Sequence, residues 1–325
     1  MAGGVEAWLQ RRWYGGVPPN HALRFAAGMY RIVTDLRRTA YGHGWMQAHK
    51  VPARVIVIGN FTAGGTGKTP LILALAERLR IAGWRPAIVS RGHGRQSRAA
   101  VRVDAATPAS ECGDEPKLLY ERSGLPVYVD ADRVAACRRA ITEGCDIVLA
   151  DDGLQHHRLR RDIEIEVIDG ERRYGNGLML PAGPLREKPR RVDWRVVNGG
   201  QAQAGEWPMS LRLAGLRSLG GDAACDPSAF LGCKVHAVAG IGNPQRFFSA
   251  LRRLGLDIVE HAFPDHHRFE TGDFAGMDAP ILMTEKDAVK CRALGLEGAW
   301  YAPVAAELPD AFYSGLCEAL QAPQA

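Results

Sequence analysis

Apolar and polar residues alternate in blocks along most of this chain. From residue 54 onward, short apolar runs alternate with longer segments in which apolar residues recur every three or four positions. The short runs predict buried strands and the periodic segments predict helices. Strands are predicted at 54–58, 86–90, 126–129, 146–150, 163–168 and 194–198, and helices at 69–82, 114–123 and 132–143. This alternation is typical of an α/β fold with a mostly parallel sheet and helices on both faces.

A second, smaller β–α unit follows a linker at 199–206 that is rich in glycine, alanine and glutamine. It contains predicted strands at 234–239, 257–263 and 280–284 and predicted helices at 244–254, 271–277 and 287–293. Strand-like segments at 209–213 and 299–303 border this unit and are candidates to pair with each other. Such pairing would direct the last helix, 309–321, back toward the first domain. We therefore expect a first domain at 1–205 and a smaller α/β domain at 206–305.

The first 50 residues form a basic arm ahead of an electrically balanced body. They carry seven cations and two anions, whereas the net charge of the whole chain is +5. A predicted helix at 23–38 carries an apolar stripe made of Phe25, Met29, Ile32, Val33 and Leu36. Because arginines flank this stripe, the helix suits the surface of an anionic membrane, but the pattern by itself favours an amphipathic helix packed against the domain core.

Composition limits the classes of protein to which the chain can belong. With 325 residues, 46% of them hydrophobic, it can form one large or two ordinary globular domains. Its seven cysteines form no CxxC pair, so we expect the reduced thiols of a cytosolic protein. No signal peptide is evident, and no apolar stretch approaches the roughly 18 residues of a membrane span. We expect a soluble or peripheral protein without a nucleic-acid partner.

A glycine-rich loop at 59–69 separates the first predicted strand from the first predicted helix. Its glycines let the backbone turn N–H groups inward, and the N-terminus of the helix adds positive potential at the same place. Lys68 then reaches the outer phosphates of a nucleoside triphosphate, and the Thr69 hydroxyl suits Mg²⁺. The general pattern has glycine where this chain has Thr62. The expected ATP-binding residues are Thr62, Ala63, Gly64, Gly65, Thr66, Gly67, Lys68 and Thr69.

Carboxylates stand at the end of one other predicted element and at the start of another. The apolar strand at 146–150 ends in Asp151 and Asp152, and such strand ends hold Mg²⁺ in phosphate-loop enzymes. Asp114 and Glu115 stand at a predicted helix start, where Asp114 is explained equally well as a helix cap or as a catalytic base. The basic loop at 90–95 suits an anionic substrate, or it is an ordinary turn.

Three motifs of the smaller domain follow predicted strands. The first, at 238–244, resembles half of a dinucleotide fingerprint but lacks the third glycine, so we expect a tight turn. The paired histidines at 265–267 lack a convincing third metal ligand nearby, which favours a polar loop at the interdomain cleft. The third motif, at 284–290, is explained as a surface helix capped by Thr284.

Taken in order, these motifs resemble those of the tetraacyldisaccharide 4′-kinase family, whose members phosphorylate the lipid A precursor in Gram-negative bacteria. The motifs that carry the resemblance lie at 64–70, 90–95, 113–116, 151–156, 181–187, 240–248, 265–267 and 284–291. Each motif is unspecific alone, whereas the ordered set spans both expected domains and is specific. His93 stands where an aromatic residue such as tyrosine is usual, and no departure removes a catalytic group.

The resemblance implies transfer of the ATP γ-phosphate to the 4′-hydroxyl of a tetraacylated glucosamine disaccharide 1-phosphate, with ATP and Mg²⁺ as cofactors. It implies that Asp114 is the catalytic base, that His266 orients or tunes this base, and that Lys68 holds the β- and γ-phosphates. The expected Mg²⁺ ligands are Thr69, Asp151, Asp152 and Glu115. The expected substrate-binding residues are Arg91, Arg133, Gln155 and His156.

A lipid substrate also bears on the interpretation of the basic arm. Four acyl chains leave a bilayer only at a cost of about 0.8 kcal/mol per methylene, so an enzyme without a transmembrane helix has to come to the membrane. The resemblance therefore favours residues 1–50 as a docking surface for the cytoplasmic face of the inner membrane, in a peripheral protein.

A different class of function shares part of this pattern. Partitioning ATPases and metal-insertion GTPases also combine a phosphate loop with an aspartate-tipped strand, and they act as nucleotide switches through protein partners. The dimerising ATPases usually have lysine where this chain has Ala63, and Asn198 is followed by glycines instead of completing a guanine-reading Asn-Lys-x-Asp. A non-catalytic ATP-binding scaffold is the third class.

Overall fold

The described part of the chain folds around two β-sheets, one of nine strands and one of six. The computed structural model describes residues 2–265 and 267–322, with side chains from residue 8 onward. The strands are β1 (Arg54–Gly59), β2 (Pro86–Ser90), β3 (Val101–Val103), β4 (Val127–Val129), β5 (Ile147–Asp151), β6 (Ile163–Asp169), β7 (Trp194–Asn198), β8 (Trp207–Leu213), β9 (Leu216–Ser218), β10 (Ala224–Cys225), β11 (Lys234–Ala239), β12 (Asp257–Ala262), β13 (Ile281–Thr284), β14 (Ala299–Ala302) and β15 (Val304–Glu307).

α-Helices lie before β1, after β15 and between some of the consecutive strands. The α-helices are α1 (Ala2–Tyr14), α2 (His21–Gly42), α3 (Lys68–Ile81), α4 (Ala109–Cys112), α5 (Asp114–Ser123), α6 (Arg133–Thr142), α7 (Pro244–Arg253), α8 (Glu285–Cys291) and α9 (Asp310–Gln321). Short 3₁₀ helices lie at Pro227–Phe230, Thr271–Phe274 and Arg292–Leu294. The predicted mostly parallel α/β architecture is confirmed.

The larger sheet has the strand order β15-β8-β7-β6-β1-β5-β2-β4-β3. β1 lies at its centre, parallel to β5 on one side and to β6 on the other. The chain crosses from one side of β1 to the other between β5 and β6. Ligands of open α/β sheets bind at the carboxyl ends of the strands near such a switch point. The glycine-rich loop follows β1 and therefore lies at this point.

Both faces of the larger sheet are covered, which explains why its strands are continuous apolar runs. Side chains of β1 point alternately to the two faces. Ile56 and Ile58 pack with α3, α5 and α9, whereas Val55 and Val57 pack with α2 and α6. α9 anchors the end of the chain here, because Phe312 packs edge-on against the stacked Trp194 and Trp207.

The smaller sheet has the strand order β10-β9-β14-β13-β11-β12. β11 lies between β12 and β13 and is parallel to both, while β9 and β10 pair in antiparallel fashion at the opposite edge. One face packs against Phe247, Phe248 and Leu251 of α7, and the other packs against Ala288 and Cys291 of α8.

The expected pairing of 209–213 with 299–303 is wrong. β8 lies in the range expected for the smaller domain, yet it pairs with β7 and β15 in the larger sheet. β14 pairs with β13 and β9 in the smaller sheet. Pro303 separates β14 from β15, and because proline cannot donate to a sheet ladder, the extended segment divides there between the two sheets.

The helix expected at 271–277 is wrong as well. Only Thr271–Phe274 forms a single 3₁₀ turn, capped by the side chains of Glu270 and Asp273. Gly276 follows it with a φ of 77°, a left-handed conformation that does not continue a helix. The helices α1 and α4 and the short strands β3, β9 and β10 were not predicted.

α2 does not bury its apolar stripe. In this helix of 22 residues only Ala27 is buried, while Leu23 and Tyr30 pack at the edge of the core. The exposed fractions of the stripe residues are 75% for Phe25, 54% for Met29, 56% for Ile32, 63% for Val33 and 62% for Leu36. Packing against the core therefore does not account for the stripe. Within the described residues, no helix combines the length and apolar character required to cross a membrane.

Replacing Ile56 by alanine tests the central position of β1. We expect the free energy of unfolding to fall by about 2–5 kcal/mol, because the change removes buried methylenes and leaves a cavity. Denaturant unfolding followed by circular dichroism measures the loss. Ile81→Ala is the matched control, since Ile81 at the end of α3 is 71% exposed and its loss should stay within about 0.5 kcal/mol. Equal losses in the two variants would contradict the assigned core.

Candidate active site

The phosphate loop leads directly into α3, which begins at Lys68. The preceding residue, Gly67, has a φ of 97°, a left-handed conformation that strongly favours glycine. A Cβ atom at Gly67 would also collide with the side-chain amide of Asn198. Glycine at this position is therefore required both by the backbone conformation and by the neighbouring side chain.

The motif at 181–187 braces the phosphate loop. The backbone N–H of Ala63 donates to the carbonyl oxygen of Pro184 at 2.7 Å, and the N–H of Arg186 donates to the carbonyl oxygen of Phe61 at 2.7 Å. These two hydrogen bonds give the loop a short antiparallel partner. The loop conformation is therefore held from outside as well as by its own glycines.

Lys68 lies in a network of polar side chains. Its Nζ donates to Oδ1 of Asn60 at 3.1 Å and lies 3.3 Å from Oδ1 of Asp152. Arg186 contacts the other carboxylate oxygen, Oδ2 of Asp152, at 2.7 Å. Burial raises the pKa of Asp152, but the attraction of Lys68 and Arg186 is larger and holds this pKa far below its usual range. Asp152 is therefore a firmly ionised carboxylate.

Asp151 lies in a different electrostatic environment although it is the adjacent residue. Burial, with repulsion from Glu115 and Asp152, raises the pKa of Asp151 well above its usual range. The hydroxyl of Ser90 donates to Oδ2 of Asp151 at 3.1 Å. Arg133 is buried and donates to the backbone carbonyl oxygens of Asp151 and Asp152, at 3.2 and 2.9 Å. Arg133 thus holds the aspartate pair, and its expected contact with substrate stays a prediction.

The residues expected to hold Mg²⁺ share this sheet edge. Asp151 is repelled by two neighbouring carboxylates, and Oδ1 of Asp152 accepts no hydrogen bond from any described residue. A divalent cation would relieve both conditions. No three His, Cys, Asp or Glu side chains of the described residues converge as a preformed metal site. This suits Mg²⁺, which usually takes one or two carboxylates and completes its shell with phosphate oxygens and water. Thr69, the fourth expected ligand, follows Lys68 in the first turn of α3.

Asp114 is the first residue of α5, and the N-cap residue of this helix is Gly113. The explanation of Asp114 as the helix cap is therefore wrong, although its charge is favourable in the first helical turn. Gly113 has a φ of 98°, and a Cβ there would lie 3.3 Å from the Cα of Gly92. The basic loop at 90–95 consequently packs directly against the start of α5.

The remaining expected substrate residues lie around the same edge. Gln155 donates from Nε2 to the carbonyl oxygen of Asn60 at 3.0 Å, so it also fastens the phosphate loop. Burial and the neighbouring arginines, Arg133 foremost, lower the pKa of His156 to about 4. His156 is therefore neutral at pH 7, and its Nε2 has no hydrogen-bond partner among the described residues. Arg91 is exposed to solvent.

The smaller sheet contacts the phosphate loop through the predicted turn at 238–244. A Cβ on Gly242 would lie 3.0 Å from the backbone nitrogen of Gly65 and 3.3 Å from Oδ2 of Asp265. The carbonyl oxygen of Gly242 accepts a hydrogen bond of 2.9 Å from Arg172, which follows β6. The close approach of the turn to the loop thus depends on the missing side chain of Gly242.

Asn198, at the end of β7, connects the two sheets at the same place. Its Nδ2 donates to the carbonyl oxygen of Thr66 at 2.9 Å, and its own carbonyl oxygen accepts a hydrogen bond of 3.3 Å from Arg246 of α7. Arg246 also pairs with the buried Asp169 at 3.2 Å. Asn198 therefore supports the phosphate loop.

The motif at 284–290 forms α8, and the predicted cap is confirmed because Thr284 Oγ1 accepts a hydrogen bond from the N–H of Asp287. Lys286 of this helix donates to Oε1 of Glu115 at 3.1 Å and to Oδ1 of Asp265 at 3.5 Å. Burial lowers the pKa of Lys286, but attraction to these two carboxylates outweighs burial and raises this pKa.

His266, the expected partner of the base, lies outside the described residues. Its described neighbours are Asp265 and His267, and the ring nitrogen Nε2 of His267 lies 2.9 Å from Oδ2 of Asp273. The role expected for His266 stays a prediction.

Four residues of this site were not identified from the sequence. They are Asn60, Arg186, Asn198 and Lys286. Arg186 and Lys286 stand in motifs that carried the family resemblance, and Asn60 and Asn198 stand at or just after the ends of apolar strands. These positions could have indicated a functional role. Polar residues at strand ends are too common, however, for a role to be assigned before their contacts are known.

Comparison with known proteins identifies the family. The family profile described as tetraacyldisaccharide-1-P 4′-kinase matches residues 20–321. A tetraacyldisaccharide 4′-kinase of Stenotrophomonas maltophilia is 52% identical over 322 residues, covering 95% of both chains. One from Xylella fastidiosa is 48% identical over 334 residues, covering 99% of this chain and 98% of the relative. A crystal structure of "apo" form LpxK from Aquifex aeolicus in complex with ATP aligns with a TM-score of 0.74 and 25% identity, covering 90% of this chain and 97% of that one.

Replacing Gly67 by alanine tests the geometry of the phosphate loop. We expect the affinity for ATP to fall at least about tenfold, because the left-handed backbone and the contact with Asn198 both oppose a Cβ atom. Isothermal titration calorimetry with ATP measures the change. Gly83→Ala is the control: Gly83 has a φ of 89°, but a Cβ there meets no described atom within 4 Å. ATP affinity that fell equally in both variants would show that general destabilisation of the protein, and not the geometry of the loop, is responsible.

Proposed function

Because the chain belongs to the tetraacyldisaccharide-1-phosphate 4′-kinase family, we propose that it transfers the γ-phosphate of ATP to the 4′-hydroxyl of a tetraacylated glucosamine disaccharide 1-phosphate in lipid A biosynthesis. ATP and Mg²⁺ are its cofactors. The observation that carries the proposal is the meeting of three elements at one sheet edge. These elements are the phosphate loop with Lys68, the aspartates at the end of β5, and the start of α5 with Asp114 and Glu115.

The phosphate loop supplies the groups that bind ATP. Phosphoryl transfer needs positioning and charge neutralisation more than covalent chemistry by the protein. The loop amides and the N-terminus of α3 provide fixed positive potential, and Lys68 provides a cation for the β- and γ-phosphates. When bound, Mg²⁺ neutralises charge on the same phosphates. The residues that would hold it are Thr69, Asp151, Asp152 and Glu115.

Asp114 is the proposed base. A sugar hydroxyl is a weak nucleophile, and a positioned base accelerates its reaction by roughly 10²–10⁴-fold. Asp114 begins α5 immediately before Glu115, whose pKa burial raises but Lys286 and Lys68 together lower. The influence of Lys68 on Glu115 supports a location of this helix start beside the phosphate site. His266 orients or tunes Asp114 by family resemblance.

We assign binding of the acceptor sugar and its phosphate to the basic and polar side chains around Asp151 and Asp152. Arg91 is exposed and belongs to the loop that packs against the start of α5. His156 is neutral, its Nε2 is buried without a hydrogen-bond partner among the described residues, and Gln155 precedes it in the sequence. Arg133 contributes indirectly, because it donates hydrogen bonds to the backbone carbonyl oxygens of Asp151 and Asp152.

The nucleotide switch is the less favoured function. Family membership favours the kinase, and the contact of Asn198 with the phosphate loop gives this residue a task other than guanine recognition. ATP consumption separates the two functions. For the kinase, consumption stays near zero until the acylated disaccharide is added in detergent. Rapid hydrolysis stimulated by a protein and indifferent to the disaccharide would instead support the switch.

The basic arm is proposed to dock on the cytoplasmic face of the inner membrane. The apolar stripe of α2 is exposed and flanked by arginines, and Trp45 beyond the helix is 77% exposed. Each cation near an anionic surface contributes about 1 kcal/mol. The same helix reaches the site, since Tyr30 donates to the carbonyl oxygen of Arg186 at 3.0 Å and Tyr41 packs on His157. This continuity supports delivery of the lipid headgroup from the docking surface to the phosphate loop.

Replacing Asp114 by asparagine tests the base. We expect kcat for transfer of labelled γ-phosphate to the acylated disaccharide to fall by about 10²–10⁴-fold, because the amide cannot accept the proton. ATP affinity, measured by calorimetry, should be unchanged. Glu111→Gln, at an exposed carboxylate three residues earlier, should keep normal turnover. Normal turnover by the Asp114 variant would remove this residue from the mechanism.

Replacing Ile32 by glutamate tests the docking surface. We expect the fraction of protein that sediments with anionic phospholipid vesicles to drop several-fold, because a charge would enter the apolar face of α2. Ile81→Glu is matched in chemistry and also lies at an exposed isoleucine, but it is on α3. Its sedimentation should equal that of the parent. Unchanged binding by the Ile32 variant would argue against docking through this stripe.

A further inference from the structure

Three ion pairs among the described residues join α5 of the larger sheet to α8 and the turn that follows it. They are Glu115–Lys286 at 3.1 Å, Arg122–Glu285 at 2.6 Å and Glu121–Arg292 at 2.6 Å. α5 begins with Asp114, and these contacts determine where the start of α5 lies relative to the smaller sheet. Only the first of the three pairs involves a residue at that start.

Lys286 differs from the two arginines in what it contacts. Its ammonium is shared between Glu115, on the larger sheet's helix, and Asp265, in the loop after β12. A lysine ammonium has three donors, so one such group can hold two carboxylates at the same time. The side chain is 17% exposed, which leaves this pairing only weakly screened by solvent.

Without this ammonium the carboxylates would repel each other. Glu115 already faces Asp151 and Asp152, and Lys68 is shared among these acidic groups. Losing Lys286 would allow Glu115 and Asp265 to move apart. Glu115 adjoins Asp114 and Asp265 adjoins His266, so this movement would change the spacing of both proposed catalytic elements.

We propose that Lys286 is a positioning residue for phosphoryl transfer. It holds Glu115 and Asp265 together and thereby sets the separation between the start of α5 and the loop that continues into His266. The inference rests on the proposed kinase function, and it requires no contact between Lys286 and substrate.

Replacing Lys286 by methionine keeps most of the side-chain length and removes the charge. We expect kcat for phosphate transfer to fall by about 10²-fold, the effect of a misplacement of about 1 Å at the reacting groups. The KM for ATP should stay within about threefold, because the phosphate loop is untouched. Lys286→Arg keeps the charge and should recover most of the turnover. Normal kcat in Lys286→Met would overturn the proposal.

Arg292→Met is the matched control, since it breaks an ion pair between the same two segments but away from the site. We expect it to lower Tm by less, because the Arg292 side chain is 41% exposed, and to keep normal kcat. A purely structural role for Lys286 would make kcat fall in step with Tm in both variants. A loss of kcat in Lys286→Met no greater than that in Arg292→Met would therefore overturn the proposal.

A double variant tests whether Lys286 acts through Glu115. If it does, Glu115→Gln combined with Lys286→Met should lose no more than about threefold beyond the larger single effect. If the kcat losses of the two single variants multiply in the double variant, Lys286 and Glu115 act independently, and the assignment of Lys286 as a positioning residue for Glu115 would be overturned. If Lys286→Met does not fold by circular dichroism, Asp265→Asn replaces it, with a several-fold loss of kcat expected and normal kcat as the contrary result.

The same assay separates this inference from the proposed function. Parent protein that forms no labelled product from the acylated disaccharide would overturn both. Product formation by the parent together with normal turnover by Lys286→Met would overturn the inference alone.

Discussion

The site depends on the neutralisation of partly buried carboxylates by cations from separate segments. Asp152 is shared by Lys68, at the start of α3, and by Arg186, in the segment that braces the phosphate loop. A carboxylate that has lost much of its contact with water is stabilised by pairing with cations, so these contacts help to fix where the three segments lie. Arg133 adds to this arrangement by holding the backbone on which Asp151 and Asp152 stand. The phosphate loop is thus one part of a charge-balanced unit.

The same constraint extends to the smaller sheet. Lys286 joins Glu115 to Asp265, and Arg246 joins α7 to Asp169 at the end of β6. Gly242 also lies close to the phosphate loop, because a Cβ atom on it would be only 3.0 Å from the backbone nitrogen of Gly65. A polar interface of this kind is suited to a site that has to admit nucleotide and acceptor and then exclude water. It also makes the acidic groups of the site sensitive to the position of the smaller sheet.

α2 has an exposed apolar stripe on one side and contacts the segment next to the phosphate loop on the other. Its exposed stripe has no partner in the described chain, yet its opposite side packs on the core and contacts the backbone of Arg186 through Tyr30. One helix therefore presents apolar side chains outward and supports the phosphate-loop brace inward. For a substrate with a polar headgroup and acyl chains, the docking proposed for this helix would place the membrane and the site on neighbouring surfaces.

The sequence by itself determined the β–α order, the phosphate loop and the aspartates at the end of β5, because these depend on neighbours a few residues apart. Local pattern also predicted the cap of α8 at Thr284. Only the tertiary structure decided that β15 pairs with β8, that 271–277 is not an α-helix, and that Arg186 and Lys286 reach the site. Strand pairing and ion pairing join residues far apart in the chain, and side-chain type alone does not specify such partners.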